Sequence, residues 1–161
     1  MANKVYTVFE TAITFQDSGG SAVITLNNLA TGAGRISARY DRGAGSIATK
    51  YMCRVTIQLA TTGTLGEQVD IFVATSDGTH PDGEIGTADA ALTTDKRRNL
   101  KYIGSVYSDQ TATNTDMTAS FVVEIFTRYF SVGVWNATTD NLRASANTSL
   151  ISFTPIPDEI Q

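Results

Sequence analysis

The most regular hydrophobic pattern in the chain lies between residues 46 and 75. From Tyr51 to Leu59 every odd position is apolar (Tyr51, Cys53, Val55, Ile57, Leu59), and the even positions include Arg54, Thr56 and Gln58. A period of two belongs to a strand with one buried face and one wet face. A second run repeats it, with Val69, Ile71 and Val73 on one side and Asp70 on the other. Between them Thr61-Thr62-Gly63-Thr64-Leu65-Gly66 supplies a glycine-bearing connection, which predicts that the two runs pair as an antiparallel hairpin.

Weaker alternation continues on both sides. Residues 5–15 read as one strand or two short ones, with Phe9, Ile13 and Phe15 directed to the core. Residues 22–27 form a short strand with Ile24 and Leu26 inward, after a turn at 17–21. Residues 35–40 put Ile36, Ala38 and Tyr40 on one side, and Asp41-Arg42-Gly43-Ala44-Gly45 follows as a turn. The longest irregular stretch, 76–95, carries the turn pairs Asp77-Gly78 and Asp82-Gly83 and room for one helical turn at 88–95. A loop of that length in a compact domain is often functional or faces a partner.

Beyond it, residues 99–107 alternate Leu100, Tyr102 and Val106 against Lys101 and Ser105. Residues 121–128 place Phe121, Val123 and Ile125 inward, and 129–136 must bend or bulge where Tyr129 and Phe130 sit side by side. The last strand, 148–154, ends at Pro155-Ile156-Pro157, because proline cannot donate to a ladder. Eleven of the thirteen glycines lie in connections, Gly104 and Gly133 being the exceptions. Eight to ten short strands at regular spacing predict one all-β domain over residues 1–161, an antiparallel β-sandwich of jelly-roll type. An immunoglobulin-like sandwich is the alternative, although Trp135 lies late for its core tryptophan and no cysteine pair accompanies it.

Composition narrows the classes of function. A chain of 161 residues buries enough surface to need no disulfide or metal, and its single cysteine, Cys53, falls on an apolar strand face as a small core hydrophobe. Sixteen acidic against twelve basic residues give a net charge of −4, which argues against a nucleic-acid partner. No apolar run has the length of a signal peptide or a membrane span, so synthesis in the cytoplasm and no membrane association are expected. Charged residues make up 17% of the chain, below the usual quarter or so, and Thr, Ser, Asn and Gly take their place.

Candidate chemistry is sparse. His80, the one histidine, sits in a turn-rich loop, and no G-x-S-x-G elbow supplies a nucleophile. Asp77, Asp82 and Glu84 could offer oxygens to calcium, but their spacing departs from an EF-hand loop. Asp70 and Glu124 could line a groove as a carboxylate pair if their strands were neighbours. These readings predict no enzyme, no catalytic residue, no metal and no cofactor. Lys96-Arg97-Arg98 is the one basic cluster, either a solvated turn or a contact for an acidic protein surface.

Four stretches resemble small jelly-roll virion proteins of tailed bacteriophages, a group that includes capsid decoration or cement proteins. They are Ile36-Ser37-Ala38-Arg39-Tyr40-Asp41-Arg42-Gly43, Ala74-Thr75-Ser76-Asp77-Gly78, Asn99-Leu100-Lys101-Tyr102-Ile103-Gly104 and Phe153-Thr154-Pro155-Ile156-Pro157-Asp158-Glu159-Ile160-Gln161. The resemblance implies a structural protein made in the host bacterial cytoplasm and located on the capsid surface of the virion. Its partner would be the major capsid protein, and it would form a homo-oligomer, a trimer in the favoured case. It also implies arms that clamp a neighbour, here residues 1–4 and 155–161, with Pro155, Ile156, Pro157 and Ile160 as contacts beside Lys96, Arg97 and Arg98. The alternative is a tail or fibre module that binds host glycans on Tyr102, Tyr107 or Trp135.

Overall fold

The computed structural model describes residues 5–7, 10–44, 48–109, 115–156 and 158–160. Its strands begin with β1 (Val5–Thr7), β2 (Ile13–Gln16), β3 (Ala22–Val23), β4 (Gly34–Ile36), β5 (Tyr40–Asp41) and β6 (Lys50–Gln58). After these come β7 (Gln68–Ser76), β8 (Ala90–Leu92), β9 (Lys101–Tyr107), β10 (Asp116–Glu124), β11 (Tyr129–Asn136), β12 (Leu150–Pro155) and β13 (Asp158–Ile160). One helical turn, α1 (Thr94–Arg97), separates β8 from β9.

The first sheet has the order β10-β6-β12-β2-β3, the second β8-β4-β11-β7-β9 with β5 also on β11. β1 and β13 make a separate two-stranded sheet. The antiparallel pairs are nested along the chain. β2 pairs β12, β4 pairs β11, β6 pairs β10 and β7 pairs β9, alternating between the two sheets. That nesting is the jelly roll, as expected from the strand count.

The predicted hairpin between β6 and β7 does not form. β6 pairs with β10 and β12, whereas β7 pairs with β11 and β9, in the other sheet. Residues 59–67 are longer than a tight hairpin turn and span the sheet-to-sheet gap of about 10 Å. The crossing is pinned where Ala60 N–H donates to the Asn141 carbonyl and Gly66 N–H to that of Ser108.

Alternation places the inner core correctly. Tyr51, Cys53, Val55 and Ile57 of β6 face Val69, Ile71 and Val73 of β7, all buried. Phe15, Phe130 and Phe153 meet edge to face at its centre, with ring centroids 5.3–5.8 Å apart. Phe9 lies outside the described residues.

The second sheet is buried on its outer face too. Phe72 and Ala74 of β7 pack there with Ile36, Ile85, Leu92 and Leu100 in a second cluster, which Trp135 borders. The long irregular segment therefore acts as a cover. It contains a 3-10 turn at Asp82–Glu84, then β8 where a helical turn was expected, and α1 slightly later.

Three sequence readings fail for local reasons. β11 neither bends nor bulges, since it pairs continuously with β7 from Tyr129 to Asn136. The irregularity lies on the opposite strand at Ser37, between β4 and β5. There Ser37 N–H donates to the Val132 carbonyl at 2.8 Å, and Ser37 Oγ accepts from Val132 N–H at 2.9 Å. This puts Ile36 in the outer cluster and Ala38 and Tyr40 against the inner core, not on one side. Tyr102, expected to point in with Val106, instead points out because the ladder with β7 slips between Ile71 and Phe72.

Candidate interaction surface

The basic cluster sits on α1, above the outer cluster. Thr93 caps this turn, its hydroxyl accepting from Lys96 N–H at 3.3 Å. The Arg97 guanidinium lies 4.0 Å from the Trp135 ring centroid and 6.0 Å from that of Phe72, so it covers the outer cluster. Lys96 Nζ donates to the Glu84 carbonyl at 3.1 Å. Arg98 approaches Asp95 at 3.6 Å, and both side chains are exposed. Two of the three basic residues are thus tied to the fold, and Arg98 is the one most available to a partner.

Next to this cap, on β9 and β7, runs an aromatic and polar strip. Tyr102 sets its ring edge-on to Phe72 at 5.5 Å and shares a 2.6 Å hydrogen bond with Ser105 Oγ. Ser105 Oγ in turn donates to Asp70 Oδ1 at 2.6 Å, and Gln68 Nε2 donates to the same oxygen at 2.9 Å. Tyr102 and Tyr107 are 51% and 57% exposed, whereas Trp135 is half-buried beneath Arg97.

The tail residues lie at the far end of the first sheet. Pro155 is buried as the last residue of β12, opposite Tyr51. Ile156 is half-buried, and its N–H donates to the Lys50 carbonyl at 2.9 Å. The tail therefore leaves the first sheet after Ile156, two residues later than expected. Pro157 and residues 1–4 lie outside the described residues. Ile160 is placed through its backbone, opposite Val5.

At the base of this end is a cavity of about 180 Å³ lined by residues that include Glu10, Tyr40, Arg42, Tyr51 and Pro155. Arg42 ties it together: Nε donates to the Thr127 carbonyl at 2.7 Å, and Nη1 to the Ala48 carbonyl and to Tyr51 Oη at 2.6 and 2.8 Å. Close by, Arg128 grips both oxygens of Asp41 at 2.7 Å. That guanidinium and the Gly43 N–H hold the Asp41 carboxyl down at about 2. Tyr129 lies between Arg39 and Arg128, 4.6 and 5.0 Å from its ring centroid.

Beside Tyr102 and Tyr107, which the sequence offered, Val122 and Phe126 are exposed apolar residues that it did not. Among the described residues six large hydrophobic ones are exposed, and four of them, Tyr102, Tyr107, Val122 and Phe126, belong to β9, β10 or the segment just after β10. These two edge strands approach each other where Phe121 packs over Gly104. The signal for Val122 was present, since it occupies the outward position between Phe121 and Val123.

The remaining chemical candidates are not brought together. His80 Nδ1 lies 3.1 Å from Asp77 on an exposed turn, and Asp82 Oδ2 accepts from Thr75 N–H and its hydroxyl at 2.7 Å. Asp70 and Glu124 stand on different sheets, so the two carboxylates do not share a groove. Cys53 is fully buried. Among the described residues no three histidines, cysteines or carboxylates gather as a metal-binding group, and no helix is long and apolar enough to cross a membrane. No protein-family model and no curated protein matches this chain.

Proposed function

We propose that this chain is a structural virion protein of a tailed phage that binds the outside of the capsid and stabilises it, without enzymatic activity. The observation that carries the proposal is the β1·β13 pair, a two-stranded sheet that is hydrogen-bonded to neither main sheet. A paired arm is already ordered, so docking it on a capsid subunit costs less conformational entropy than ordering a loose tail would. The sandwich behind it, with β7 and β11 covered on both faces, suits a rigid clamp. The resemblance to decoration proteins supplies the partner, the major capsid protein, and the favoured trimer.

A second reading has its own support. Tyr102 and Tyr107 are exposed beside the Asp70–Ser105 network, an arrangement of flat rings and hydrogen-bonding groups that a host glycan could use in a tail or fibre module.

The deciding measurement is the copy number of the chain relative to the major capsid protein in purified virions. Copies in the hundreds support decoration. A handful together with saccharide binding that is lost in Tyr102→Ala supports the second reading, and absence from the particle refutes both.

A further inference from the structure

The net charge of the chain is −4, yet residues 95–101 hold four cations, Lys96, Arg97, Arg98 and Lys101, against one carboxylate, Asp95. Being tied to the fold does not neutralise them. Lys96 donates to the Glu84 main-chain carbonyl and Lys101 Nζ to that of Glu124, both at 3.1 Å, and neither forms an ion pair among the described residues. Arg98 is paired, with Asp95. Arg97 stacks on Trp135, and among the described residues its guanidinium has neither a hydrogen-bond acceptor nor an ion-pair partner. Stacking holds the planar fork in place with its N–H groups unused. That arrangement suits bidentate binding of a carboxylate or phosphate.

The surface beside Arg97 calls for hydroxyls. Asp70 stands opposite Trp135 in the β7–β11 ladder, and both side chains face outwards. Its Oδ1 takes Ser105 Oγ and Gln68 Nε2, whereas its Oδ2 has no partner among the described residues. Tyr102, half exposed, flanks Phe72, the other ring that Arg97 approaches. A neutral sugar would leave the fork unpaired. A phosphodiester chain or a run of acidic side chains would fill it, but would set further negative charge against Asp70 with few donors to offset it. A sugar acid carries its carboxylate on one side of the ring and hydroxyl donors on the others.

We infer that this corner of the outer face binds an acidic saccharide, a sugar ring bearing a carboxylate. Arg97 pairs with the carboxylate, Asp70 accepts from ring hydroxyls, and Tyr102 lies against the apolar face of the ring. The inference rests on the glycan-binding reading and narrows its ligand class; it does not depend on where in a particle the chain sits.

Oligomers of galacturonate, glucuronate and sialic acid, each beside its neutral methyl ester, test it by calorimetric titration. At least one acid should bind about tenfold or more tighter than its ester. Arg97→Gln should bring that acid-to-ester ratio to about one and leave the ester's own affinity within about twofold, a split that lost packing would not produce. Arg97→Lys, which keeps the charge but not the fork, should also lose most of the ratio. Esters that bind as tightly as their acids would overturn the inference and leave the glycan reading standing. No binding by any saccharide would overturn both. Tighter binding of a single-stranded oligonucleotide or a polyglutamate peptide through Arg97 would overturn the inference in favour of another anion.

Discussion

Cys53 shows how much a single position can owe to its strand. It lies on the inward face of β6 with no exposed surface, and burial pushes its thiol up to about 12. The thiolate is the reactive form, so a disulfide reagent at pH 8 should label Cys53 only as fast as the protein opens. Labelling as fast as in a free peptide would contradict that. The folded pKa lies above the ordinary 9.0, so this residue's contribution to stability is complete below pH 9 and is lost as pH climbs towards 12. Asp41 works in the opposite sense. Its carboxyl is held down at about 2 from 3.8, so its contribution is present above that ordinary value and fades as pH falls from 3.8 towards 2. Urea titrations between pH 2 and 5 should therefore show a flatter acid limb in Asp41→Asn than in the parent. Gly104 carries a steric constraint: a Cβ there would run into the Phe121 ring where β9 meets β10. Gly104→Ala should cost about 2–3 kcal/mol in chemical denaturation.

At the scale of elements, α1 is four residues long, too short to persist by itself, and is held by its Thr93 cap and by what Arg97 covers. Arg97→Ala should lose about 1 kcal/mol of stability and shift the emission of the single tryptophan to the red, as Trp135 gains water. An unmoved spectrum would mean that Arg97 does not shield the ring. The strands were legible to differing degrees, for a reason visible in β6 and β7. β6 has one wet face, and its period of two could be read directly. β7 is buried on both faces beyond Asp70, so Phe72 and Ala74 add apolar residues that alternation assigns to solvent. α1 and β8 left no periodic mark, because each is shorter than the windows in which a period can be recognised. The basic cluster was visible as composition, but that Arg97 packs on Trp135 was not, since residues 38 positions apart are joined only by the cover over the second sheet.

For the whole molecule, the testable unit is the separate β1·β13 sheet. Pro155 is a buried strand residue and Ile156 donates to the Lys50 carbonyl, so a truncation that tests the arm must begin after them. Removing residues 157–161 should leave the melting temperature within a few degrees of the parent while abolishing capsid binding in a co-sedimentation assay. Undiminished binding would shift the partner surface to the β9–β10 side. By itself the sequence determined that the chain is all-β and which residues of β6 turn to the inner core, because a two-residue period and its glycine punctuation are local consequences of backbone geometry. It also carried the turn chemistry at Asp77 and Asp41. Only the tertiary structure decided which strands pair, that β6 and β7 lie in different sheets, that residues 76–100 close over an outer core, and that β9 and β10 meet at the end of the two sheets. Those are agreements between residues far apart in the chain, and a periodic pattern says which face of a strand is buried without saying what covers it.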